Sequence, residues 1–115
     1  MNPELRNRTK SFAMRVIKMY CALPKSTVAQ VLGKQVLRSG TSVAANYREA
    51  SRGRTDAELL SKLGIVEQEL DETLLWFELL VESKIVTAAK MVNLQKEADE
   101  LLSMVVAAIK RLKGK

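Results

Sequence analysis

Apolar residues recur along most of this chain at alternating intervals of three and four, the period of an α-helix with one buried face. Between residues about 5 and 22 the stripe is Phe12, Val16, Met19 and Leu23. Between about 56 and 83 it is Leu59, Leu63, Val66, Leu70, Thr73, Phe77 and Leu80. Between about 88 and 112 it is Met91, Leu94, Ala98, Leu101, Val105, Ala108 and Leu112. The remaining segment, about 27–52, carries Val28, Val31, Leu32, Val36, Leu37, Val43, Ala44, Tyr47 and Ala50 around a middle, RSGTSVAAN, that is nearly all small. Small residues let a second backbone come close, so tight packing is the expectation there; a kink or a ligand contact is the alternative. Gly40 costs this helix about 1 kcal/mol of propensity against Ala.

Three breaks separate the four segments. Leu23-Pro24-Lys25-Ser26 closes the first helix and offers Ser26 or Thr27 as the cap of the second. Arg52-Gly53-Arg54-Thr55 does the same for the third. Gly53 suits a left-handed residue past a helix end, and Thr55 with Glu58 reads as a capping box. Thr87 caps the last helix after a weaker break at 83–87. Short connections between long helices predict an all-α fold, an antiparallel up-down-up-down four-helix bundle forming one domain over 1–115.

Composition narrows the chemistry. The 115 residues are 47% hydrophobic and 28% charged, so the chain folds rather than staying disordered. There is no His and a single Cys, Cys21. No His base, no Cys–His or Ser–His pair and no usual zinc set can be built within one chain. Carboxylates at Glu67, Glu69, Asp71, Glu72 and Glu78 invite comparison with di-metal bundles, but those require Glu-x-x-His on two helices. The expectation is therefore a protein that is not an enzyme, with no catalytic residues, no metal and no cofactor. The longest wholly apolar run, Met104 to Ile109, falls far short of the ~20 residues that cross a bilayer. The first residues hold no leader-like apolar segment, so the cytoplasm is the expected compartment.

Charge changes the picture most. Residues 1–54 hold 11 Lys and Arg against 2 Asp and Glu, residues 55–84 hold 2 against 8, and residues 85–115 hold 6 against 3. The overall net charge is +6. On the second helix Lys34, Arg38, Thr41, Ala45, Arg48 and Arg52 share one face, and Arg54 extends the row around the turn. Lys10, Arg15 and Lys18 of the first helix border it. Small residues between basic pairs would let a phosphate backbone approach, so Lys34, Arg38, Arg48, Arg52, Arg54, Arg15 and Lys18 are the candidate nucleic-acid ligands. The third helix carries the opposing ladder, Glu67, Asp71, Glu78 and Glu82. Both ladders also read as solvated faces, partly paired within the bundle, with Arg38 tied to Glu49 or to a third-helix carboxylate. A basic and an acidic face on one protomer favour head-to-tail self-association. Glu49 and Glu69 are expected to be partly buried and paired with cations. Ser39, Ser42 and Asn46 are expected to hydrogen-bond within or between helices. Trp76 is expected in the core or a subunit interface rather than on a base-stacking surface.

The stretch LPKSTVAQVLGKQVLRSGTSVAANYREASRG resembles the signature region of the bacterial 23S rRNA-intervening sequence proteins. Gln35, Arg38, Ser39, Thr41, Ser42, Ala45, Asn46, Tyr47, Glu49 and Ala50 fit it. Glu58, Lys62, Leu63, Glu69, Glu72, Thr73, Trp76 and Leu79 to Glu82 resemble the family's third helix. Arg48 departs from the pattern. The resemblance implies a four-helix bundle assembled into ring-shaped homo-oligomers, pentamers, and with it the expected partner is nucleic acid, RNA held by its backbone. A related branch, the accessory determinant of diversity-generating retroelements, adds a reverse transcriptase as a partner. The rival expectation is an interaction module whose basic face docks an acidic protein; membrane binding is not expected.

Overall fold

The computed structural model describes residues 3–115. It contains four helices in chain order: α1 (Pro3–Cys21), α2 (Thr27–Ser51), α3 (Asp56–Glu82) and α4 (Ala88–Lys113). α1 begins earlier than the periodicity suggested, because proline is accommodated in a first turn, where no backbone donor is needed. Helix α2 packs between α1 and α3, α4 lies against α3, and the circuit closes more openly between α4 and α1. This is the expected antiparallel four-helix bundle, 47 Å long and 19 Å across in both other directions.

The caps hold as expected. Ser26, Thr55 and Thr87 are extended, and each side chain accepts the backbone N–H three residues on, from Ala29, Glu58 and Lys90. The Glu58 carboxylate reaches one residue further back than in a standard capping box and accepts the Arg54 N–H at 2.7 Å. The left-handed position is not where it was expected. Gly53 keeps negative φ; the residue with positive φ is Lys84, at 64°. There the N–H of Ile85 bonds to the Leu80 carbonyl and that of Lys84 to Val81, which is a Schellman ending. Ile85 packs back on the core, so the tight α3–α4 turn is held by its hydrophobic contact although its central residue carries a side chain.

The core runs the length of the bundle through Phe12, Val16, Val36, Val43, Tyr47, Leu63, Val66, Leu70, Phe77, Leu80, Met91, Leu101 and Val105. Phe12 and Phe77 meet edge to face with centroids 6.3 Å apart. The seam of α2 differs from its apolar list. Val28 and Val31 are exposed, and Ala29, Gly33, Ser39 and Gly40 occupy buried positions instead. Small size rather than hydrophobicity selects these residues, because Tyr20, Leu23 and Val16 lie directly on the α2 backbone at Gly33 and Gly40.

Polar side chains join the helices. The hydroxyls of buried Ser39 and Thr73 are 2.7 Å apart and link α2 to α3. Asn46 donates to the Ser42 carbonyl at 2.9 Å within α2. Across the open α1–α4 seam the Arg8 guanidinium forks onto Glu97, with Nε to Oε2 at 3.1 Å and Nη2 to Oε1 at 2.6 Å. That carboxylate raises the pKa of Arg8 above its ordinary value. A bidentate pair of this kind fixes the approach of the two helices as well as adding energy.

Candidate nucleic-acid interface

Every member of the α2 ladder lies on the solvent side of the helix, as its spacing required. Lys34, Ala45, Arg48 and Arg52 are exposed, Arg38 is half-exposed, and Thr41 is half-buried. Arg54 is exposed in the α2–α3 turn, Lys18 is exposed on α1, and Arg15 is half-buried there. The row does not form one continuous site. At its last two turns Arg48 and Arg52 meet Lys10 of α1 around a shallow groove of about 460 Å³ floored by Ala44 and Ala45, with Glu49 on the rim. Three cations against one carboxylate leave this groove basic. The two alanines leave room for a phosphate to sit among the cations rather than above them. Arg48 and Arg52 also complement the negative C-terminal end of α2, so part of their charge is spent on the helix itself.

Arg38 is engaged elsewhere. Its Nη1 donates to Glu69 Oε2 at 3.1 Å and its Nη2 to Glu72 Oε2 at 3.4 Å. The guanidinium thus serves the α2–α3 joint, the structural role that stood beside phosphate binding in the sequence. Glu69 is only 13% exposed at its side chain. Burial, and then a hydrogen bond shared with Glu72, push its pKa above the ordinary carboxylate value, against the pull of Arg38. Desolvation therefore outweighs the ion pair at this carboxylate. Glu49 is paired with a cation, Lys62 at 2.7 Å, but its side chain is exposed rather than partly buried. It stands at the solvent edge of the α2–α3 joint, between the last turn of α2 and the second turn of α3.

Aromatic side chains are withdrawn from the basic surface. Phe12, Tyr47 and Phe77 are buried; Tyr20 and Trp76 are half-buried against the core. The indole Nε1 of Trp76 is enclosed without an acceptor. A groove with cations and no displayed aromatic ring is equipped to hold a backbone, not to stack bases. Among the described residues no group of three or more His, Cys, Asp or Glu is placed to hold a metal ion, and no helix is long and apolar enough to cross a membrane.

On the opposite side α3 and α4 enclose a larger groove of about 810 Å³, lined among others by Asp71, Glu72, Leu75, Glu78, Val92 and Asp99. The acidic ladder of α3 accounts for part of it. Asp99 and Val92 of α4 were not singled out in the sequence; the phase of the α4 stripe, which buries Met91, Leu94 and Ala98, puts both on one flank, and the fold turns that flank toward α3.

The family model of the 23S rRNA-intervening sequence proteins matches residues 2–107. Among solved structures, the chain is similar to a protein of unknown function from the S23 ribosomal protein family of Bacteroides thetaiotaomicron. The two share 32% identity with a TM-score of 0.87, over 92% of this chain and 98% of that one. No curated protein matches the chain.

Proposed function

Because this chain belongs to the 23S rRNA-intervening sequence protein family, we propose that it is a non-enzymatic, homo-oligomeric protein of the bacterial cytoplasm that binds structured RNA through its phosphates. The observation that carries this reading is the groove where Lys10, Arg48 and Arg52 converge over Ala44 and Ala45, extended around the turn by Arg54. RNA is favoured over DNA by the family's name, which ties its members to 23S rRNA. Recognition is of the backbone, because no aromatic ring is displayed beside the cations. Lys34 and Arg15 lie along the same helices and would lengthen the track. Arg38 contributes least, since Glu69 and Glu72 already occupy its donors. Opposed charge on the two sides of the bundle supports assembly into a ring, five-membered by the family resemblance. A ring would repeat the groove around its circumference and add phosphate contacts from every subunit. Service beside a reverse transcriptase is the more specialised form of the same activity.

The test is the triple variant Arg48→Ala, Arg52→Ala, Arg54→Ala, compared with the wild type in fluorescence anisotropy titrations of a structured RNA over a range of salt. Each lost phosphate contact lowers the slope of log affinity against log salt by about 0.7–0.9. The three together are expected to lower it by about 2 to 3 per protomer engaged, similarly for unrelated RNA sequences. Circular dichroism and light scattering on the same samples establish that the variant folds and assembles. A folded, assembled variant with unchanged affinity and slope refutes the reading, and leaves an acidic protein as the partner to seek for the basic face.

A further inference from the structure

Among the described residues, Val28 and Val31 of α2 and Leu79 of α3 are exposed large hydrophobics outside any charged groove, whereas three others, Leu75, Val92 and Met14, stand beside charged side chains. Leu75, 46% exposed, and Val92, 52% exposed, stand in the α3–α4 groove, Leu75 between Asp71 and Glu78 along α3 and Val92 two turns before Asp99 along α4. The groove holds one cation, Lys96, against the carboxylates of Asp71, Glu78 and Asp99, while Glu72 on its lining is already paired with Arg38, so its net charge is −2. On a different side of the bundle Met14, 51% exposed, stands on the outer face of α1. Lys10 precedes it by one turn and Lys18 follows by one turn, and both are exposed. One surface therefore reads acid, apolar, acid; the other reads base, apolar, base. The lengths agree. Asp71 to Glu78 spans about 10 Å along α3, and Lys10 to Lys18 spans about 12 Å along α1 at ~1.5 Å per residue.

We infer that the α3–α4 groove is the seat for the outer face of α1 of a second copy of this chain. Met14 enters between Leu75 and Val92, and the flanking lysines lie against the carboxylates at the groove's ends. The contact deepens the self-assembly part of the proposed function and shares only Lys10 with its RNA-binding part. It joins two different surfaces, so each protomer keeps one groove and one α1 face free for the next, and the chain of contacts closes into a ring or continues. Apolar burial supplies adhesion, while the complementary charges fix orientation and speed encounter. Lys18 is thereby assigned to the subunit contact and not to RNA. Lys10, on the edge of α1 toward α2, sits where the contact and the basic groove adjoin.

Two face-specific variants test this without knowledge of the register. Met14→Asp with Lys18→Glu spoils the α1 face and leaves the groove intact. Leu75→Lys with Glu78→Lys spoils the groove and leaves α1 intact. All four side chains are exposed, and circular dichroism with thermal melting confirms that each variant keeps the bundle. Multi-angle light scattering at micromolar protein should show an oligomer for the wild type, and self-association weaker by roughly tenfold or more for each variant. Mixed one to one, the two variants should recover a 1:1 dimer, because the intact groove of one accepts the intact α1 of the other, and should go no further. A monomeric wild type, an unchanged mass in either variant, or a mixture that stays monomeric overturns the inference. The RNA titration of the arginine variant fails or succeeds separately, since none of those arginines lies on either face.

Discussion

The packing of α1 onto α2 yields a prediction with an internal control. Gly40 and Gly64 both lie inside long helices, α2 and α3, with helical backbone. Replacing a mid-helix glycine by alanine gains about 0.5–1 kcal/mol from chain entropy when space allows. At Gly64 a new Cβ would meet nothing within 4 Å, so Gly64→Ala is expected to stabilise by that amount. At Gly40 the same atom would stand 2.9 Å from both γ-carbons of Val16 and 3.2 Å from its Cβ. Val16 is fully buried and stiff about χ1, so it cannot swing aside; α1 must move outward. Overpacking of this kind costs about 1–3 kcal/mol, which exceeds the propensity gain. Gly40→Ala is therefore expected to lie about 1–3 kcal/mol below Gly64→Ala. A bundle of this length shifts its melting point by about 4 °C per kcal/mol, which makes the gap readable by circular dichroism. Protein concentration is held fixed, because the proposed self-association would contribute to apparent stability. Val16→Ala introduced with Gly40→Ala removes the clashing methyls. Its cost in that background should be smaller than its cost in the wild type, a favourable coupling in a double-mutant cycle. Equal stability of the two alanine variants would refute the close-packing argument.

Lys84 occupies a left-handed position that glycine adopts without a Cβ penalty, so Lys84→Gly is expected to stabilise the α3–α4 turn by about 1 kcal/mol in chemical denaturation; a destabilised variant would contradict the Schellman reading. Glu69 has a native pKa raised mainly by burial, so between its unfolded and native values the folded chain holds the extra proton and this group's contribution to stability falls as pH rises. Glu69→Gln should thus melt at or above the wild-type temperature near neutral pH, with the difference vanishing on acidification below the ordinary carboxylate value. A variant less stable near neutrality would show that the Arg38 pair outweighs desolvation.

Residue order alone determined the four helices, the caps at Ser26, Thr55 and Thr87, and most of the core. Those features follow from local rules: a 3.6-residue period of burial, a hydroxyl able to accept at the first turn, and connections too short for any but antiparallel neighbours. The segregation of charge and the exposure of the α2 row were legible for the same reason, since residues of one helix share a face by spacing alone. Tertiary structure decided what lies opposite each face. Val28 and Val31 looked like core but are exposed, because the close approach of α1 rotates the small residues Gly33 and Gly40 inward. The left-handed residue is Lys84 and not Gly53, because the packing of Ile85 imposes that turn at the α3–α4 connection. Arg38 was one of several like cations in the sequence. Only the register of α2 against α3 sets it beside Glu69 and Glu72, whereas Arg48 and Arg52 meet Lys10 across a different seam. Both grooves are built from two helices each, and the relative rotation and register of two helices depend on how their side chains interlock, which no pattern within either helix specifies.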